Sequence, residues 1–491
     1  MMKLTVIAVS LTACAASAAE LTVDFAKDGG RVRPALHSSG WAPRSYPRSI
    51  QNDDAAIRSM NLTYARTHDW ALVNSGQRVI DYQYIFPLFD KDPKDESNYL
   101  FEPTDHLLSL SRNVGLKIFY RLGTSIEHTG DVHFNALIPE DFNKVAEVFA
   151  GTVRHYNRGW ADGFNWNIKY WEIWNEPDGH INMWCLPDGD RGANPQEQKR
   201  KDTLRRAKFV EFFVTCLKRL KKEFGDSIKV GGPALCNVGP DRVEYFREIL
   251  KACKAAGVAP DFLSWHGYVN DPLQFNREAD MMRKLCDEYG FTKCELIINE
   301  WHYFGTTYDW TDMQRCSDPV VKARIWEGPD SHNGIRSAAF TLATLANLQS
   351  SKLAEAYYYG CSHVGSWGFK DALQKKYKVF YALKLFGDIV KGYTTRCACT
   401  SGGTITPFAV KDAKGRKALM VADYGGSDRK IEIEVKGLDV TKKPKVTILD
   451  YTHDLVPFVP TQSWDQVYFE NGKLVIWKPD FFSAAFFITF D

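Results

Sequence analysis

Two glutamates stand at the ends of apolar runs. One closes Tyr170-Trp171-Glu172-Ile173-Trp174-Asn175-Glu176-Pro177, and the other lies in Glu295-Leu296-Ile297-Ile298-Asn299-Glu300-Trp301-His302. Proline at 177 cannot continue a central strand, so Glu176 is expected where its strand leaves the sheet. Two carboxylates converging on one cleft can break a glycosidic bond: one, protonated, delivers its proton to the departing oxygen, and the other, ionised, attacks the anomeric carbon. The retaining version of this chemistry needs the carboxyl groups about 5 Å apart. Trp171, Trp174 and Trp184 are expected around Glu176, and an apolar setting raises a carboxyl pKa, so Glu176 is the expected acid. Glu300, with Arg66, Tyr268 and His302 as expected neighbours, is the expected nucleophile. Asn175, beside the acid, can donate to a sugar hydroxyl next to the reacting carbon. Either carboxylate alone reads as an ordinary loop group; the pair in this aromatic setting does not.

Such groups need a frame. Short apolar runs at Leu36–Ser39, Leu62–Arg66, Lys117–Arg121, Tyr170–Trp174, Lys229–Gly232, Phe262–Trp265, Leu296–Asn299 and Ala354–Tyr359 alternate with segments of helical period. The helices are expected at Asp141–Tyr156, Thr203–Phe224, Arg242–Ala256, Asp280–Tyr289, Ile335–Leu348 and Tyr377–Val390. In Thr203–Phe224 the apolar residues recur every three or four positions, the mark of a helix with one buried face. Repeated strand-then-helix order favours a parallel sheet wrapped by helices. An open doubly wound sheet would alternate similarly, but eight strands suit a closed (β/α)8 barrel, a TIM barrel spanning residues 35–392. Glu176 then ends the fourth strand and Glu300 the seventh, on the edge where barrels carry catalytic groups.

From residue 393 the character changes. Ile405–Lys411, Lys417–Tyr424, Lys430–Val435, Lys445–Asp450, Gln466–Glu470, Lys473–Lys478 and Ser483–Thr489 read as strands, with Asn471-Gly472 as a hairpin turn. The expectation is a C-terminal β-sandwich over 393–491, joined by an N-terminal strand within 20–34 that precedes a turn at Asp28-Gly29-Gly30. No aromatic triad is visible in this segment, so it is expected to be a structural clamp.

The chain has 491 residues, 62 Lys+Arg against 60 Asp+Glu, 44% hydrophobic residues and 13% aromatic ones. This is a globular composition with no electrostatic reason to bind nucleic acid or a lipid surface. Met1-Met2-Lys3, the apolar Leu4–Ala13 and the small residues ending at Ala19 read as a signal peptide over 1–19, which predicts a secreted or periplasmic protein; Leu11-Thr12-Ala13-Cys14 offers lipid anchoring at Cys14 as the alternative. No later apolar run is long enough to cross a bilayer. The scattered cysteines lack zinc spacing. His68, His266, His302 and His363 show no metal-binding spacing, and no nucleotide motif occurs, so neither metal nor cofactor is expected. Trp174, Trp184, Trp301, Trp310 and Trp367 are candidate platforms for sugar rings, with Asp188, Asp190 and Arg191 as candidate readers of a substituent. The expected partner is an oligo- or polysaccharide substrate; oligomeric state is not readable.

Trp174-Asn175-Glu176-Pro177 after the fourth strand, with Glu300 after the seventh, resembles the clan A retaining glycoside hydrolases. Arg66-Thr67-His68, Val230-Gly231-Gly232-Pro233, Asp261 to Tyr268 and Trp367-Gly368-Phe369 are similar to glycoside hydrolase family 39, the β-xylosidases and α-L-iduronidases. The resemblance implies Glu176 as acid/base, Glu300 as nucleophile and Asn175 as a sugar-hydroxyl ligand. It also implies His266 and Tyr268 as groups lining the reacting subsite, with Arg66 and His68 supporting the nucleophile. An exo-glycosidase follows, with a β-xyloside or an arabinose-containing side chain as first substrate and iduronidase, β-glucosidase or β-galactosidase specificity as the alternatives. A non-catalytic sugar-binding protein is the contrasting reading.

Overall fold

A computed structural model describes residues 20–40, 52–68, 78–125, 136–179, 183–305, 325–326, 328–361, 367–371, 373–441, 443–460 and 466–490. The expected signal peptide with Cys14, as well as Trp310 and His363, lies outside the described residues.

Eight parallel strands close a barrel in chain order: β2 (Ser38–Gly40), β3 (Tyr64–Arg66), β4 (Lys117–Leu122), β5 (Tyr170–Ile173), β6 (Lys229–Leu235), β7 (Phe262–Val269), β8 (Glu295–Tyr303) and β9 (Glu355–Tyr359), with β9 pairing back onto β2. Helices α1 (Asp54–Ser59), α2 (Tyr82–Ile85), α3 (Glu102–Asn113), α4 (Phe142–Arg158), α5 (Pro195–Phe224), α6 (Pro240–Ala255), α7 (Gln274–Glu288), α8 (Ile335–Leu348) and α9 (Lys378–Gly392) follow the strands. The expected strands all form. Helix α5 starts eight residues before its expected start, at Pro195: Asn194 caps it by accepting from the Glu197 N–H at 2.9 Å. That first stretch is wholly polar, so it carries a cap signal but no apolar period.

The second sheet contains β1 (Thr22–Arg31), β10 (Thr395–Thr400), β11 (Ile405–Lys411), β12 (Lys417–Asp423), β13 (Lys430–Lys436), β14 (Lys445–Leu449), β15 (Asp454–Pro457), β16 (Val467–Glu470), β17 (Lys473–Trp477) and β18 (Ala484–Thr489). Their order is β15-β14-β18-β12-β11-β10-β1-β13-β17-β16, and the sheet curls so that Val23, Ile433, Leu419, Ile448 and Phe486 share one apolar core. β1 lies centrally, between β10 and β13, and runs through Asp28-Gly29-Gly30 as a bulged strand instead of turning there. Asn471 and Gly472, at φ +49° and +77°, make the expected two-residue turn. The opposite face of this sheet, through Phe408, Met420 and Ala485, joins the barrel's core around α8 and α9. One hydrophobic interior therefore runs through both units.

The barrel's N-terminal mouth is plugged by Phe119, Tyr170, Phe262, Ile297 and Tyr357. Beside them Glu355 is buried and accepts from the Tyr357 hydroxyl. Burial pushes its carboxyl up to about 7, against the hydrogen bonds from Tyr357 and Tyr170. The folded chain favours the protonated form, so this group's stabilisation is complete below its ordinary value of 4.5 and is lost as pH rises through about 7. Glu355→Gln, which stays neutral, should flatten the decline in stability over that interval by roughly 3 kcal/mol, at about 1.4 kcal/mol per pKa unit. Urea unfolding at several pH values checks this.

Candidate active site

Strand β5 carries the first half of the site. Glu172, inside the barrel and cut off from water, accepts from Arg66 Nε at 2.7 Å on one oxygen and from Ser264 and Asn299, each at 2.6 Å, on the other. Arg66 also donates to the Asn175 side-chain oxygen at 2.7 Å. The Asn175 amide nitrogen is buried with no hydrogen-bond partner among the described residues. The chain then turns sharply, with Trp174 at φ +74° and Glu176 at φ +44°. Left-handed backbone costs a non-glycine residue roughly 1–2 kcal/mol. The turn is held by Trp174 N–H to Leu122 O at 2.7 Å and Glu176 N–H to Ala234 O at 3.0 Å. Gly123, at φ +129°, lets the Trp174 ring pass: a Cβ there would lie 2.7 Å from Cε3 of that ring.

Strand β8 supplies the second half. Its register against β7 slips between Trp265 and His266, leaving Asn299 as an extra residue just before Glu300. Such a bulge re-aims side chains. Here Asn299 reaches Glu172 while Glu300 receives the Tyr268 hydroxyl. His68 Nε2 lies 3.2 Å and Arg66 Nη1 3.7 Å from the other Glu300 oxygen. Burial opposes a charge on Glu300, but His266, His68 and Arg66 outweigh it and hold its carboxyl down at about 2.

His266 joins the halves. Its Nδ1 is 2.9 Å from Glu176 and its Nε2 3.6 Å from Glu300, so one imidazole spans the gap between the carboxylates. Burial lowers the imidazole's proton affinity, yet Glu300 and Glu176 together raise it above the ordinary value, favouring the cation. The Glu176 side chain keeps 22% of its surface open, against 7% for Glu300. Behind the Glu176 turn, Asp178 accepts from Arg242 Nε at 3.0 Å and from the Cys236 N–H.

Asn175, Glu176, Glu300, Arg66, His68, His266 and Tyr268 thus meet at the C-terminal end of the barrel. Half-buried Trp367 stands at their edge, its ring 5.6 Å from Tyr268 and 5.5 Å from Tyr359. Three expectations are corrected. Trp184 is fully buried against Trp174, Phe209 and Phe212, with its indole N–H bonded to Arg205 O, so it offers no face to a sugar. Trp301 follows Glu300 along β8 and therefore points to the other side of the strand, where Phe275 and Tyr358 enclose it. His302 is buried against Trp367, ring centres 5.2 Å apart, and its ring nitrogens are spent within the scaffold. Its Nδ1 donates to Tyr303 O at 2.9 Å, its Nε2 accepts from the Tyr358 hydroxyl at 2.7 Å, and burial lowers its pKa to about 4.

The aromatic surround expected for Glu176 does not form either. Trp171 stacks on Tyr120, and Trp174 packs with Trp184 and Phe212, all between strands and helices. What distinguishes the two carboxylates is instead the set of cations around Glu300. Asp190 is spent on the Leu186 N–H and Arg205, within the scaffold. Glu172 was missed, although a lone charge inside an apolar strand signals a buried partner. Among the described residues no cluster of three His, Cys, Asp or Glu side chains could hold a metal, no helix is long and apolar enough to cross a membrane, and the cysteines are free thiols.

The eight-stranded barrel packed against a curled ten-stranded sheet is an architecture shared with solved glycosidase structures. They include a glucosidase from Croceicoccus marinus, 21% identical with 96% of this chain and 99% of that one covered (TM-score 0.68), and a monomeric β-xylosidase from Caulobacter crescentus CB15, 15% identical over the same shares (TM-score 0.61). A third is AbfB, a family 51 α-L-arabinofuranosidase from Bifidobacterium longum, 12% identical with 97% and 99% covered (TM-score 0.59). At these identities the likeness establishes the fold. No protein-family profile matches the chain.

Removing one member of a buried ion pair strands the other and typically costs 3–5 kcal/mol. Glu172→Gln should therefore lower stability by about that amount, measured by denaturant unfolding, while Asp90→Asn, whose pair with Lys91 is exposed on both sides, should change it by less than about 0.5 kcal/mol.

Proposed function

We propose that the chain is a retaining exo-glycoside hydrolase of the clan A type, with Glu176 as acid/base and Glu300 as nucleophile. The observation that carries this is the sharing of one imidazole, His266, by two carboxylates from the fourth and seventh barrel strands, only one of which is ringed by cations. Glu300, held ionised, attacks the anomeric carbon while Glu176 protonates the leaving oxygen; Glu176 then takes a proton from water, which releases the sugar from Glu300. Tyr268, donating to Glu300, orients the attacking oxygen. The amide nitrogen of Asn175, buried with no hydrogen-bond partner among the described residues, would donate to the neighbouring sugar hydroxyl. Trp367 supplies the apolar wall.

The glucosidase, β-xylosidase and arabinofuranosidase of similar fold support a saccharide substrate. A β-xyloside or an arabinose-containing side chain is the first candidate, in keeping with the resemblance to family 39, and export through the N-terminal signal fits a polymeric substrate. Iduronide, glucoside and galactoside substrates remain in the test panel.

Wild-type protein should hydrolyse at least one member of a panel of aryl monosaccharide glycosides with retention of configuration. Glu300→Ala should abolish turnover, and Glu176→Gln should reduce it by about 10^2–10^4-fold, the usual contribution of a general acid. A covalent sugar on Glu300, located by peptide mass, completes the test. Absence of both turnover and adduct across the panel would leave the barrel as a sugar-binding scaffold.

A further inference from the structure

Three large aromatic side chains of the curled sheet face water together. Tyr451 is 48% exposed, Phe481 65% and Phe482 42%. The Tyr451 and Phe482 rings are 5.1 Å apart with their planes 37° from parallel, and the Arg429 guanidinium lies 5.2 Å from the Phe481 ring centre. Single exposed apolar residues are ordinary, but a contiguous group marks an interaction surface. The sequence hid it because Tyr451 sits in the β14–β15 turn and the phenylalanines in the β17–β18 turn.

The turn that presents Phe481 and Phe482 is fixed from beneath. Lys478, buried, pairs with buried Asp423 at 2.5 Å and donates to Phe482 O at 3.1 Å and Gly426 O at 3.3 Å. Asp480 accepts the Phe482 N–H at 2.9 Å, and Arg429 donates to Lys478 O and Pro479 O at 3.3 and 3.1 Å. A Cβ on Gly426 would come 2.9 Å from Phe481 O. The rings are thus held in water by an ordered polar frame rather than left there by a loose loop.

Tyr451 also lines a cavity of about 450 Å³ with Thr452 and Asp454, opposite Lys375, Lys376 and Asn333 from the barrel. Asn333 precedes α8, after β8, and the lysines precede α9, after β9, so the cavity opens on the same end of the barrel as Glu176 and Glu300. His332, next to Asn333, packs parallel to Trp367 with ring centres 6.2 Å apart. The aromatic face and the cavity share Tyr451, and the cavity's barrel side is built by the segments that follow β8 and β9.

We propose that Tyr451, Phe481, Phe482 and the adjoining cavity bind a polysaccharide chain of β-linked pyranoses at a distance from the catalytic carboxylates. Such rings offer flat C–H faces to aromatic side chains and a rim of hydroxyls to polar ones, a match for exposed rings beside Thr452, Asp454 and two lysines. A glycan as occupant rests on the reading of the chain as a glycoside hydrolase.

The test uses full-length Glu176→Gln protein, with and without Tyr451→Ala, Phe481→Ala and Phe482→Ala together, in native gels containing arabinoxylan or mixed-linkage β-glucan. The parent should be retarded and the triple variant should bind at least ~10-fold more weakly, as loss of an aromatic contact cluster implies. In the wild-type background the triple variant should keep its turnover of aryl glycosides and its melting temperature. Equal retardation of both proteins, or none of the parent in either polymer, overturns the proposal. So does a concentration-dependent dimer, seen by sedimentation, that the triple substitution disperses. If no aryl glycoside is cleaved yet retardation still depends on the three rings, the catalytic reading falls and this one stands; cleavage without retardation has the opposite meaning.

Discussion

Arg66 and Glu172 lie 2.6 Å apart in the barrel interior with neither side chain exposed to water. An ion pair in such a place depends on hydrogen bonds to its other donors and acceptors, because each charge has given up its hydration. Arg66 comes from the second strand and Glu172 from the fourth; Ser264 from the sixth and Asn299 from the seventh complete the carboxylate's shell. The free end of the guanidinium then reaches Asn175 and the vicinity of Glu300. The cluster that closes the barrel's upper interior also sets the position and charge of the groups above it.

Above that floor the two functional carboxylates are separated by environment. Glu300 is buried, yet its ionised form is favoured because Arg66 and His68, at the end of the second strand, and His266, on the sixth, face it. Glu176 projects from a left-handed turn and keeps contact with solvent through the cleft. The backbone irregularities serve this difference: the bulge at Asn299 sends consecutive side chains to Glu172 and to the cleft, and the strained turn swings Glu176 over His266. The turn is held by its N–H groups donating to the strands on either side, and the bulge by the Asn299 side chain donating across the barrel to Glu172.

The curled sheet is part of the same interior rather than an appendage. Phe408 and Met420 pack with the helices after the last two strands, and the sheet's other core forms around Val23 and Phe486. With β1 in the middle of that sheet, the first described strand locks the last domain against the barrel. The turns at the sheet's far edges are thereby brought beside the barrel's C-terminal rim, where the exposed aromatic group lies.

Much of this was legible in the residue order. Eight short apolar runs, the one-sided helix in Thr203–Phe224, the Asn471-Gly472 turn and the strand-ending Asn175-Glu176-Pro177 rest on periodicity and sterics that act within a few residues, so they survive without a fold. β10 and β15 were not legible, since Thr395–Thr400 and Asp454–Pro457 have little apolar alternation and pair only because neighbours offer edges. Nor were the directions of Trp184, Trp301 and His302, which follow from a bulge and from helix packing, or the partners of Glu172. The sequence by itself determined the eight barrel strands, most of the long helices after them, and which carboxylates stand toward the C-terminal ends of the fourth and seventh strands. Closure of the barrel decided which charges face one another, because electrostatic environment depends on distances between strands that lie tens to hundreds of residues apart along the chain.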